Sequence, residues 1–140
     1  MTDIKTRWIS DKQETTLHIA AAANQKNLVK KLVEVMNCDD LKVENIVGST
    51  PLCYAAAITG NVNIAKAILQ DQNEHLLNPD RGLKPLIVAA LFGNKKMVKH
   101  LSPLTTTVTW NETEMVKLFV AYTRIGMYGK HKFLLFATFT

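Results

Sequence analysis

With 140 residues, 47% of them hydrophobic and 21% charged, the chain has the composition of a folded domain, and a disordered class is excluded. Its formal charge is +5, and much of it sits on Lys30, Lys31, Lys95, Lys96 and Lys99, with Lys130 and Lys132 near the C-terminus. That balance implies attraction to acidic partners or anionic surfaces; without an arginine-rich run or a nucleic-acid-binding motif, no nucleic-acid partner is expected.

Residues 1 to 12 are polar and contain no apolar stretch of the kind a secretory leader needs. Their apolar pair, Trp8 and Ile9, suits either a terminal cap over the following helices or a frayed segment. Three similar segments come next. They are TTLHIAAAANQKNLVKKLV from Thr15, TPLCYAAAITGNVNIAKAIL from Thr50 and KPLIVAALFGNKKMVKHL from Lys84. Leu17, Leu52 and Leu86 recur at spacings of 35 and 34, and each precedes an alanine pair: Ala20-Ala21, Ala55-Ala56 and Ala89-Ala90. A second apolar pair follows in each: Leu28-Val29, Ile64-Ala65 and Met97-Val98.

Each segment reads as two helices. The first is short and alanine-rich, with Pro51 and Pro85 at a first-turn position where the missing N–H is not needed. Asn24, Gly60 and Gly93 mark the turn between helices, where left-handed backbone is often required. The second helix spans about 26–36, 62–70 and 95–100, with apolar residues three to four apart. The second segment carries one extra residue between Ala55 and Gly60, which predicts an extended helix or a bulged turn. Pro103 is expected to end the third segment's second helix.

A Thr-rich linker occupies 102–110. A closing helix over 111–127 then begins at Asn111, with Glu114 completing a capping box and Trp110 and Met115 placed for a hydrophobic staple. Met115, Val116, Leu118, Phe119 and Tyr122 give it an apolar stripe. The stretch 128–140 is an irregular apolar tail, read as a strand or flap, or as the product of an altered reading of a longer gene. No apolar run reaches 18 residues, so no membrane span is expected.

The recurring segments resemble the T-P-L-H-x-A-A heart of the ankyrin-repeat family over residues 13 to 101, in copies of about 13–47, 48–81 and 82–101. The TLHIAAAA and TPLCYAAA segments are similar to the N-terminal repeats of plant ankyrin proteins of the accelerated-cell-death and salt-tolerance type. The C-terminal membrane helices usual in those proteins are not visible here. The resemblance implies an all-α solenoid of stacked helix pairs joined by β-hairpin-like loops. It also makes Thr15 and His18 a local hydrogen-bonding pair. That pair is altered to Thr50 and Cys53 in the second copy and to Lys84 and Ile87 in the third, which puts local stability in question.

No catalytic constellation is present, and neither a cofactor nor an enzyme activity is expected. His75, His100 and His131 have no acid or cysteine at a catalytic or metal-ligand spacing. Cys38 and Cys53 are too few for a disulfide scaffold and read as free thiols in a reducing, cytoplasmic setting. Asp39, Asp40 and Asp71 read as caps or loop residues. Ankyrin arrays usually bind through hairpin tips and the concave face of the first helices. On this chain the tips are Ile46, Val47, Ser49, Arg81 and Leu83, and the helix ends are Ala22, Ala23, Ala57, Ile58, Leu91 and Phe92. Ile46 and Val47 stand out as an adjacent apolar pair, while Ile58 and Phe92 fit a satellite core as well as a contact surface. The expected function is a protein-binding scaffold or adaptor in plant stress or defence signalling. The alternative is a truncated structural remnant of a membrane-anchored ankyrin protein.

Overall fold

The computed structural model describes residues 8–70, 73–105 and 108–127, and the tail from 128 lies outside the described residues. Every regular element among the described residues is helical, with no strand among them. The first helices of the three copies are α1 (Thr16–Ala22), α4 (Pro51–Tyr54) and α7 (Pro85–Leu91). The second helices are α2 (Lys26–Glu34), α5 (Val62–Leu69) and α8 (Lys95–Leu104). Short helices α3 (Cys38–Leu41) and α6 (Asn73–Leu77) lie in the connections, and α9 (Glu112–Arg124) closes the array. α1, α4, α7 and α9 pack in succession, and α2, α5 and α8 form a second row behind them.

The periodic residues make this stack. Leu17, Leu52 and Leu86 are all buried, as are the three alanine pairs, whose small side chains let neighbouring first helices approach closely. No single helix pair could cover its own apolar face, so the core runs continuously from copy to copy.

The extra residue of the second copy has a physical home. After α4 the helix continues as a π-turn over Ala55–Thr59, in which Gly60 N–H donates to the Ala55 carbonyl at 2.8 Å. A π-bulge accommodates one inserted residue without shifting what lies on either side. Asn24, Gly60 and Gly93 therefore still occupy equivalent left-handed positions, at φ 59°, 61° and 73°.

Two expectations need correction. α8 does not stop before Pro103 but runs through it to Leu104. A proline at the penultimate position of a helix removes one intrahelical bond, and Thr105 N–H closes the end on the Leu101 carbonyl at 3.0 Å. The linker is correspondingly shorter than 102–110. Short helix α3 occupies the connection after the first copy's second helix. Asn37 and Asp40 cap it reciprocally, at 2.9 and 3.0 Å, and that is the role of the Asp40 carboxylate.

The third copy's loss of its N-cap threonine has a purpose visible only in three dimensions. Lys84 is almost fully buried, and its ammonium sits 2.6 Å from Glu114 and 5.0 Å from the Trp110 ring centre. Glu114 also accepts from Asn111 N–H at 3.1 Å, completing the capping box of α9. One carboxylate thus caps the closing helix and neutralises the lysine at the start of α7. Leu118, Ala121 and Tyr122 of α9 are buried at the spacing of Leu17, Ala20 and Ala21, so α9 occupies the place of a fourth first helix.

Leu52→Ala should cost about 2–5 kcal/mol, because it opens a cavity in the middle copy that both neighbours lean on. Thermal or chemical denaturation checks this, and an unchanged midpoint would remove Leu52 from the core.

Candidate interaction surface

The loops that precede each first helix form one edge of the stack, and each is tied to the next. The second loop is a tight turn at Asn45–Gly48. Asn45 N–H donates to the Ser49 carbonyl at 2.9 Å, Gly48 N–H donates to the Asn45 carbonyl at 3.0 Å, and the Asn45 side-chain oxygen accepts from Val47 and Ser49 N–H. Ile46 N–H reaches back to the Lys12 carbonyl of the first loop at 2.8 Å. Toward the third loop the approach is backbone on backbone. A Cβ on Gly82 would lie 2.1 Å from the Gly48 carbonyl oxygen, so only glycine fits there. Arg81 spans the same gap, donating to the Asn45 carbonyl at 2.9 Å and pairing with Glu44 at 3.5 Å.

His18 supplies the other tie. Its Nδ1 accepts from Thr15 N–H at 3.1 Å, which makes its Nε2 the donor to the Ser49 carbonyl at 2.8 Å. The imidazole is buried and meets Tyr54 edge-on at 5.1 Å. Burial pushes its pKa below the ordinary value, against the opposing pull of the Ser49 carbonyl and Glu14. The Tyr54 pKa is itself pushed up to about 12, chiefly by burial and by the neighbouring Glu14 carboxylate, while its hydroxyl accepts from the Asn45 amide at 2.8 Å. In the second copy Cys53 takes the histidine's place, and its thiol donates to the Leu83 carbonyl at 3.5 Å. Burial raises the Cys53 pKa, which keeps the sulfur a thiol and a poor nucleophile. Both side chains brace one copy against the next.

The sequence-derived tip residues therefore divide. Ile46 and Val47 are 54% and 73% exposed, with their backbone fixed and their side chains in solvent. Ser49 and Leu83 are half-buried; their carbonyls receive His18 and Cys53, and Leu83 packs on the core. Arg81 is exposed but bound to Glu44 and Asn45, so it acts as a brace between loops. The equivalent tips on either side are charged, with exposed Asp11 and Lys12 on one and exposed Asp80 and Arg81 on the other. A single apolar tip sits between them.

At the inner helix ends, Ile58, Leu91 and Phe92 are 59%, 43% and 64% exposed, which places them outside any satellite core. Ile58 rides on the π-turn, and that turn packs against α7. Ala22 and Ala57 are half-buried and Ala23 is exposed. Trp8 and Ile9 are more than half exposed.

Among the described residues no group of three His, Cys, Asp or Glu is arranged to hold a metal ion. A notch among Lys42, Glu44, His75, Asn78, Pro79 and Asp80 mixes both charges and holds no serine, threonine or cysteine. No helix among the described residues is long and apolar enough to cross a membrane.

Compared with known families, residues 17–102 match the profile described as ankyrin repeats in three copies, which is more than half of the chain. A comparison with curated proteins found no match.

The histidine network gives stability a pH dependence. Folding lowers the His18 pKa, so below pH 6.5 the unfolded chain binds more protons than the folded one. Stability from this group is intact above the ordinary value and is lost as pH falls from there toward the folded pKa, at no more than about 1.4 kcal/mol per pH unit. His100, lowered by burial and by Lys66, adds to the same slope. The melting midpoint should fall between pH 7 and pH 5. His18→Gln should lower the midpoint at pH 7.5 and flatten the slope, and an equal slope in both proteins would remove His18 from this role.

Proposed function

Since the chain belongs to the ankyrin-repeat family, we propose that it is a protein-binding scaffold whose contact surface joins the Ile46–Val47 tip to the helix-end residues Ile58, Leu91 and Phe92. Repeats of this family generally serve protein–protein interaction. The observation that carries the assignment is the pair Ile46 and Val47, exposed on a loop whose backbone is hydrogen-bonded on both sides. A fixed backbone means that little loop entropy is lost when a partner docks, which favours affinity for a given contact area. Exposed apolar side chains on such a platform contribute most when a partner removes them from water. The partner needs an apolar patch facing the tip, with polar groups to meet Asp11, Lys12, Asp80 and Arg81 around it. The likeness of the first two copies to plant accelerated-cell-death and salt-tolerance type repeats extends the proposal to stress or defence signalling at a cytoplasmic location.

Affinity capture from extracts of the source cell, using the full chain, tests the assignment. Ile46→Glu with Val47→Glu should weaken capture at least about tenfold, as loss of a central apolar contact does, while leaving the melting midpoint nearly unchanged. Retained capture by the folded variant would place the contact elsewhere, and a collapsed midpoint would make the pair part of the core.

A further inference from the structure

The second helices carry a charge pattern that the apolar surface does not use. Aligned on the left-handed residues Asn24, Gly60 and Gly93, the three copies place Lys30, Lys66 and Lys99 at one helical position. Each follows a buried residue, Val29, Ala65 or Val98, and precedes by two another buried or half-buried one, Leu32, Ile68 or Leu101. All three lysines are exposed, so they stand on the outer side of the row formed by α2, α5 and α8. Helix packing sets their separation at roughly 8–10 Å per copy. Lys26 and Lys95 share a second equivalent position one turn earlier, and Lys31, Lys96 and His100 flank the column. The Lys66 charge is felt at His100, where it helps lower the imidazole pKa, so neighbouring helices do bring these groups together.

The three helices hold seven lysines and one acid, Glu34. Among the described residues no carboxylate pairs with Lys30, Lys66 or Lys99. Asp39, Asp40, Glu44 and Asp80 lie in the connections and tips instead. The charges are thus segregated, with a cationic column on the outer helices.

We propose that this Lys30–Lys66–Lys99 column is a second docking surface, and that it takes an acidic protein segment with carboxylates spaced to match the repeat. A helix carrying acids seven residues apart places them about 10.5 Å from one another, close to the separation of stacked helices. The column contains lysines without arginine or exposed aromatic groups, so it offers nucleic-acid bases nothing to stack on and phosphates no planar fork. Leu28, at the edge of the first copy, is the exposed large apolar residue within these helices, which leaves little to insert into a bilayer. A regular row of point charges on a rigid frame suits carboxylates on a rigid partner. The surface rests on the protein-binding reading for the class of partner but not for its location.

The test uses the full chain and a fluorescein-labelled helical peptide with glutamates at every seventh position over three sites, in low salt. Lys30→Gln, Lys66→Gln and Lys99→Gln together should weaken binding about tenfold, as three screened ion pairs would, with the melting midpoint held. Lys12→Gln, Lys42→Gln and Lys117→Gln, which remove the same charge elsewhere, should bind as the unmodified chain does. Ile46→Ser with Val47→Ser should also bind normally, so failure here leaves the apolar surface standing. An isomeric peptide with its three glutamates adjacent should bind more weakly. Equal loss in both lysine triples, indifference to glutamate spacing, or a preference for phosphatidylserine vesicles or single-stranded DNA over the peptide would each overturn the proposal. Should the triple variant melt early, Lys66→Gln alone, expected to weaken binding about twofold, decides the matter.

Discussion

Everything in this molecule depends on how closely one loop backbone can lie on the next. Gly48 and Gly82 meet without side chains between them, and that contact sets the distance between the second and third copies along the tip edge. Hydrogen bonds then fix the register, from Ile46 N–H to the Lys12 carbonyl, from His18 to the Ser49 carbonyl, and from Arg81 to the Asn45 carbonyl. The alanine pairs of the first helices satisfy the same spacing inside the core. A larger residue at either place would splay the stack and expose its apolar faces.

That constraint explains what could be read from the residues and what could not. The repeat period, the alanine pairs and the left-handed turn positions are local and recur, so they were legible. So was the one-residue insertion, because a π-bulge is a local solution to a local mismatch. The capping box of α9 depends on Asn111 and Glu114 three residues apart and was equally accessible. Lys84 looked like a defect because its partners, Glu114 and Trp110, lie far along the chain. Arg81 looked like a free tip for the same reason, since Glu44 and Asn45 belong to another copy. Pro103 misled because the cost of a helical proline depends on its distance from the helix end, which the sequence leaves open. The fourth Leu-Ala spacing, at Leu118 and Ala121, was present in the residues but masked by the larger Tyr122 at the second alanine's position.

The candidate surface was partly visible. Residue type singled out Ile46 and Val47, but only the folded arrangement separates them from Ser49, Leu83 and Arg81, which serve the stack. Functional display and stability are therefore divided within a single loop: the turn's backbone and flanking residues hold the copies together, and its two apolar side chains are left in solvent. The outer helices show a comparable division, with buried aliphatic residues facing the first helices and lysines facing outward. The same repeat geometry thus presents an apolar tip on one edge and a cationic column on another side.

If the loops are structural members of the stack and not passive connections, their amides must open only when the stack opens. Native-state hydrogen exchange of the Ile46, Gly48 and Ser49 amides measures this directly. They should exchange with an opening free energy close to that of core amides such as Val29 and Val98. Exchange of the loop amides at rates typical of exposed chain, with the helices still protected, would contradict that structural role.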